Sequence, residues 1–176
     1  MGLGAERDLG TLNAPEPLAD QHNFEAFNSG EPTLDDWLRR RARANQISGA
    51  SRTYVVAQAQ VVVGYYSLAS GAIALADAPS RARRNMPDPI PMTVLGRLAV
   101  DKAWQGKRLG RLLLRDAILR TQQAAAIIGV RGLLVHALSP AAKRFYETSG
   151  FRESPNRPMT LVVTLQDARA ALDKAE

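Results

Sequence analysis

Apolar and polar positions repeat with two periods along the 176-residue chain. Leu34, Trp37, Leu38 and Ala42 recur at three- and four-residue spacing, which predicts a helix from Leu34 to Gln46. Thr33 and Asp36 form a capping box at its start, and Arg39, Arg40, Arg41 and Arg43 occupy its other face. The β-branched and aromatic stretch "TYVVAQAQVVVGYYSLASGAIAL" predicts a hairpin or three short strands, bent at Gly64. "ADAPSRARRNMPDPIPM" reads as one loop, kept extended by Pro87, Pro89 and Pro91. "TVLGRLAV" is the next strand. "GRLLLRDAILRTQQAAAIIG" is a long amphipathic helix ending near Gly129, and "GLLVHAL" is a short buried strand. In "SPAAKRFYETSG", Ser139 caps a helix, Pro140 takes its first position and Gly150 stops it. "MTLVVTL" is a last strand, and the Ala-, Asp- and Lys-rich tail suits a final short helix.

This order of strands followed by strand–helix–strand–helix–strand predicts an α/β (α+β) fold with a mixed sheet and helices on both faces. The length suits one domain, 1–176, with 1–23 poorly defined: mostly coil, with at most a first strand. No apolar run reaches membrane-spanning length and the first residues lack a signal pattern, so no membrane association is expected and the cytoplasm is the default. The absence of cysteine excludes disulfides, thiolate nucleophiles and cysteine metal sites. His22 and His136 are the only histidines and lie far apart, so no metal site is expected. His136 reads best as a packed, hydrogen-bonded strand-end residue.

Charge changes the picture more. Residues 1–38 hold eight acids and one base, a net −7, which leaves +13 on residues 39–176. Arginine supplies 19 of the 23 bases, and it suits bidentate phosphate contact and base stacking better than lysine does. An arginine-biased surface accounts for part of this, but a +13 body favours a polyanionic partner.

The candidate chemistry begins at "LGRLAVDKAWQGKRLGRLLLRDA", where a strand runs into a helix through a turn rich in Gly, Lys and Arg. Unpaired N–H groups at a helix start, together with the helix dipole, form an anion site suited to phosphate. Gly106 and Gly110 let the backbone approach a ligand, and Lys107, Arg108 and Arg111 add charge. Neither a Walker loop nor GxGxxG is present, and spacing alone is equally a glycine turn with a cationic rim.

Here the chain resembles the GNAT superfamily of N-acetyltransferases, whose acetyl-CoA segment reads Gln/Arg-x-x-Gly-x-Gly/Ala. Gln105 fills the first place and Gly110 the last, and Arg108 replaces the middle glycine. "AAKRFYETSGF" is similar to the family's A-x-x-F-Y-x-x-x-G-F segment. "LDDWLRRRARANQ", "VVGYYSLASG", "MPDPIPMTVLGRLAVD" and "VHALSPAAKRFYETSGF" resemble the TacT group of toxin–antitoxin toxins from about Phe24 to Leu165. The resemblance implies a GNAT-like fold and a toxin that acetylates the α-amino group of aminoacyl-tRNA with acetyl-CoA, blocks translation, and is neutralised by a ribbon–helix–helix antitoxin. Homodimers are common in the group.

It also implies site residues. Gln105, Gly106, Lys107, Arg108, Leu109, Gly110 and Arg111 would hold the coenzyme A diphosphate, and Leu98, Ala99 and Val100 would pair with the pantetheine arm. An Arg108 in ordinary helical conformation could point outward to a phosphate; a requirement for positive φ would cost about 1–2 kcal/mol and make cofactor binding weak. Tyr146 would be the acid for the leaving thiolate, although without the resemblance "FY" in a helix reads as a core pair. An α-amine titrates near ~7.7–8.0 and needs no dedicated base, unlike a lysine near ~10.4. Arg39, Arg40, Arg43, Arg81, Arg83, Arg84 and Arg97 would contact tRNA phosphates, with a solvated charged face as the plainer reading. Two other functions compete with the toxin: a GNAT enzyme for a small amine or a protein N-terminus, and a non-catalytic binding module on the same fold.

Overall fold

The β-rich stretch after residue 50 forms two long strands, and they turn where the sequence carries no glycine. In the computed structural model, which describes residues 12–174, β2 spans Arg52–Gln58 and β3 spans Val61–Ile73. Ala59 and Gln60 make the turn with φ of 49° and 70°. The expected bend at Gly64 is absent: Gly64 lies buried inside β3. A Cβ there would sit 3.1 Å from Leu113 Cδ1 and 3.3 Å from Leu109 Cδ2. The glycine serves close helix approach instead of a turn.

The first helical stretch also departs from expectation. α1 spans Pro32–Arg40 and α2 spans Ala42–Ser48, with Arg41 (φ −121°, ψ −30°) breaking them. Proline takes the first helical position, so the start moves ahead of Thr33 and no Thr33–Asp36 box forms. Asp35, not Asp36, organises this end: its carboxylate accepts from Ser29 N and Ser29 Oγ.

The proline- and arginine-rich loop contains a 3-10 turn at Leu75–Asp77 and a short helix, α3 (Ser80–Arg83). β4 (Ile90–Val100) follows, then α4 (Leu109–Ala125), which ends four residues before Gly129. β5 is Gly132–His136 and α5 is Pro140–Glu147, with Ser139 Oγ accepting from Ala142 N at 3.1 Å and Gly150 at φ 93°. A two-residue strand β6 (Arg152–Glu153), β7 (Thr160–Thr164) and α6 (Leu165–Lys174) complete the chain. β1 is only Glu16–Pro17. The coil expected over residues 1–11 lies outside the described residues.

Hydrogen bonding orders the strands β1-β2-β3-β4-β5-β7-β6, a mixed sheet: β1–β2, β5–β7 and β6–β7 are antiparallel and β4–β5 is parallel. Among the described residues, the seven-stranded mixed sheet and six helices bear out the expected fold class. The chain divides into two compact units. Unit one is the residues up to Ser67 with Arg97–Leu114; unit two is Leu68–Gly96 with the residues from Arg115 onward. Unit one is built on Leu18, Phe24, Phe27, Leu38, Val55 and Tyr65, and unit two on Ile73, Ala82, Ile90, Met92, Leu134 and Val162. Among the described residues no helix is long and apolar enough to cross a membrane.

Candidate active site

The turn in unit one is built before it reaches its glycines. β4 ends at Val100, and Asp101 Oδ1 accepts from Ala103 N at 3.0 Å, capping a 3-10 turn at Lys102–Trp104. Asp101 Oδ2 accepts from Asn28 N at 3.0 Å, and Asn28 O accepts from Lys102 N at 2.8 Å. The Gln105 amide then donates to Val100 O at 2.9 Å and to Ser29 O at 2.8 Å. Gln105 therefore straps the turn to the strand end and to the 28–31 loop. Ser29 is fixed in turn by Asp35, which is 4% exposed.

Gly106 (φ 77°) and Arg108 (φ 65°) are both left-handed, and α4 begins at Leu109. Nothing lies within 4 Å of where a Gly106 Cβ would be, so the glycine is required by its φ and not by crowding. Arg108 keeps a backbone that costs a non-glycine residue about 1–2 kcal/mol. This answers the question the sequence raised: the middle place does require positive φ. Leu112 N bonds Arg108 O at 3.2 Å, whereas the N–H groups of Leu109, Gly110 and Arg111 precede any intrahelical acceptor. Leu109 is buried and anchors the helix start; Arg108 and Arg111 are exposed, and Lys107 Nζ lies 5.1 Å from the Trp104 ring centre. Three free donors, a helix dipole, an open glycine and three cations fit a diphosphate.

In unit two, the N-capped α5 carries Tyr146, which is 6% exposed. Its ring lies 5.1 Å from Phe145 and 5.3 Å from Phe151, centre to centre. Burial pushes its phenol well above the usual tyrosine range, so the proton stays on at neutral pH. In the same unit the parallel β4–β5 ladder pairs Thr93 with Leu133 and Val94 with Leu134. β5 runs on to His136, which pairs with Thr160 of β7. His136 is exposed rather than packed, and its Nδ1 is 3.0 Å from Thr160 Oγ1. His22 is buried: Nδ1 accepts from Ala19 N at 2.9 Å, so Nε2 carries the proton toward Glu16 Oε1 at 2.8 Å. Among the described residues no group of three or more His, Asp and Glu side chains could hold a metal ion.

The arginines separate into two kinds. Arg39 donates to Phe27 O at 2.8 Å and pairs with Asp36 at 3.5 Å. Arg43 donates to His22 O at 2.6 Å and Asp20 O at 3.2 Å, and lies 4.5 Å from the Phe24 ring centre. Arg81 makes a two-pronged pair with Asp167 at 2.6 and 2.7 Å, which holds the Asp167 carboxyl below its usual range. These three hold the chain to itself. Arg40, Arg83 and Arg84 are exposed, and Arg97 is half-buried over Trp37, its guanidinium carbon 4.8 Å from the ring centre. Leu98 and Val100 are half-buried and Ala99 is buried.

Unit one thus gathers Leu98–Val100, the 105–111 turn, Arg39, Arg40, Arg43 and Arg97; Tyr146, Arg81, Arg83 and Arg84 belong to unit two. Sequence reasoning missed Asp35, Asp101 and the 28–31 loop. "FNSGEP" is turn-rich, but its partners lie up to 76 residues away, and only the fold brings them together.

Comparison with known proteins fits these two features. The acetyltransferase (GNAT) domain family matches residues 49–153. The tRNA-acetylating toxin of Mycobacterium tuberculosis (strain ATCC 25618 / H37Rv) is 52% identical over 160 residues, covering 91% of this chain and 96% of its own. Among solved structures, AtaT complexed with acetyl-methionyl-tRNAfMet aligns with a TM-score of 0.83 at 27% identity, covering 92% of this chain and 99% of its own. AtaTR bound with AcCoA gives 0.76 at 26% identity, covering 93% and 99%. A tyrosine-to-phenylalanine mutant of the AtaT toxin bound to the C-terminus of the antitoxin AtaR gives 0.77 at 26%, covering 91% and 97%. With its glycine-rich strand–turn–helix junction and its "FY" helix on a mixed sheet, the chain belongs to the GNAT acetyltransferase family.

Proposed function

We propose that this single-domain, cytoplasmic enzyme transfers the acetyl group of acetyl-CoA to the α-amino group of aminoacyl-tRNA and so blocks translation. The observation that carries the reading is the 52% identity, over 91% of the chain, to a tRNA-acetylating toxin. A ribbon–helix–helix antitoxin neutralises the enzyme, and the enzyme works as a homodimer.

Bound acetyl-CoA supplies an activated acyl carbonyl and a thiolate leaving group. The Leu109, Gly110 and Arg111 N–H groups, with Lys107, Arg108 and Arg111, hold its diphosphate. The backbone of Leu98, Ala99 and Val100 aligns the pantetheine arm and offers an N–H to the developing oxyanion. The neutral α-amine attacks the carbonyl carbon, a C–N bond forms and the C–S bond breaks. Tyr146 gives its proton to the departing sulfur and recovers the one the amine releases, so no dedicated base is required. Exposed Arg40, Arg83 and Arg84 take phosphates of the acceptor, as Arg97 helps to place its end; Arg39, Arg43 and Arg81 support the surface through their intramolecular bonds.

The test is incubation of the purified enzyme with acetyl-CoA and charged tRNA, followed by mass spectrometry of the aminoacyl-adenosine released from the tRNA end. Charged tRNA should gain one acetyl group and uncharged tRNA none. Acetylation of a polyamine or a protein N-terminus, with aminoacyl-tRNA untouched, would replace this reading with the small-amine or N-terminal enzyme.

A further inference from the structure

Arg97 is the one arginine of the expected tRNA set that is half-buried while making neither hydrogen bond nor ion pair among the described residues; its guanidinium lies over Trp37 and within electrostatic reach of Tyr65. That contact is built from beneath. The Trp37 ring stacks on Tyr65, centres 6.0 Å apart and planes 7° from parallel. Tyr65 is 0% exposed, donates its hydroxyl to Leu34 O at 2.6 Å and meets Phe27 edge-on at 5.6 Å. The core end of this ladder is locked, and the Arg97 guanidinium lies over its half-buried Trp37 ring. A guanidinium is planar and weakly hydrated, so a ring beneath it fixes its plane and leaves the far side for a second flat group.

Its place on β4 says which group. If the diphosphate rests on the 105–111 turn and the arm runs back along Val100, Ala99 and Leu98, the acyl carbon lies at the Leu98 end, beside Arg97. The acceptor amine arrives there, and only the backbone of its amino acid separates it from the terminal ribose. We propose that Arg97, braced by Trp37, is a stacking shelf for the terminal nucleobase of aminoacyl-tRNA. Unpaired RNA ends are commonly read by stacking on aromatic rings and arginine planes. A phosphate would have to shed water beside the apolar Trp37–Tyr65 wall, whereas a base brings a flat apolar face to it. This rests on the aminoacyl-tRNA reading above.

The experiment uses CCA trinucleotides bearing an amide-linked 3′-amino acid, with either adenine or an abasic ribose at the last position. The amino acid is the one the wild-type enzyme acetylates on whole tRNA. Removing the base should lower wild-type kcat/KM by about 10- to 100-fold, the range of one base stack. Arg97→Lys keeps the charge and loses the plane. It should fall to the abasic rate on the adenine substrate and become indifferent to the base, with its melting temperature and acetyl-CoA affinity unchanged. Trp37→Leu, which removes the brace, should shift the preference the same way. The proposal is overturned if the wild-type enzyme ignores the base, if Arg97→Lys keeps the wild-type preference, or if Arg97→Lys loses both substrates by one factor, which shows a contact that does not act through the base. If the wild-type enzyme acetylates neither charged tRNA nor either trinucleotide, the aminoacyl-tRNA reading itself fails and takes the shelf with it; that result needs no variant, so the two failures are distinct.

Discussion

Replacing Asp35 by Asn tests whether the 28–31 loop supports the cofactor turn. The carboxylate accepts Ser29 Oγ at 2.6 Å and Ser29 N at 3.0 and 3.2 Å, and the residue is 4% exposed. Asn has one acceptor oxygen for these two donors, and its NH₂ group then faces a donor. Hydrogen bonds to a charged group contribute about 1.5–3 kcal/mol each and neutral ones about 1, so the loss should be about 2 kcal/mol. For a chain of this size that lowers Tm by roughly 4–8 °C. Ser29 O also accepts from Gln105, so a loosened Ser29 frees the start of the turn. Re-ordering one residue costs about 1 kcal/mol, which weakens acetyl-CoA binding about fivefold. Thermal melting and calorimetry of Asp35→Asn, Gln105→Leu and the double variant read both effects. If the two side chains act through Ser29, the double variant should bind acetyl-CoA no more weakly than the worse single one. An unchanged Tm would refute the hydrogen-bond account. Lowered stability with unchanged affinity in both single variants would show that the loop holds the fold and not the turn.

Tyr146→Phe should lower turnover by about 10²–10⁴ with acetyl-CoA affinity nearly unchanged, measured by steady-state kinetics and calorimetry. Because burial raises the Tyr146 phenol, the protonated, active form should persist upward in pH, and kcat should show no alkaline fall from this group below about pH 10. Arg83→Glu with Arg84→Glu should weaken tRNA binding, reduce its salt slope by about 0.9 per lost phosphate contact and leave Tm unchanged. Arg81→Glu should instead lower Tm, since Arg81 faces Asp167; the opposite pattern between the two would refute the sorting of arginines. Gly132→Ala should cost more than about 3 kcal/mol in denaturant unfolding, because the new Cβ would sit 1.9 Å from Val163 O across the β5–β7 ladder and two strands would have to part.

Local chemistry made much of this protein legible. The α5 cap follows from Ser139-Pro140, the strands β4, β5 and β7 from their apolar runs, and the anion turn from a glycine-rich strand-to-helix junction. Each depends on residues within a few positions of one another, where propensity and hydrogen-bond accounting apply directly. The sequence also carried the family's two segments, and the roles proposed for Gln105–Arg111 and Tyr146 rest on that resemblance. What it left open were choices made by distant neighbours. Arg108 could be outward and helical or left-handed until the turn, strapped by Gln105 to Val100 and Ser29, set its φ at 65°. Gly64 looked like a bend and is a seat for Leu109 and Leu113 of a helix more than 40 positions on. The arginines were alike on paper, and tertiary packing alone gave Arg39, Arg43 and Arg81 internal partners, left Arg40, Arg83 and Arg84 to solvent and laid Arg97 over Trp37. A side chain's charge is a property of its residue type; whether that charge is available to a ligand is decided by which carbonyl, carboxylate or ring the fold carries to it.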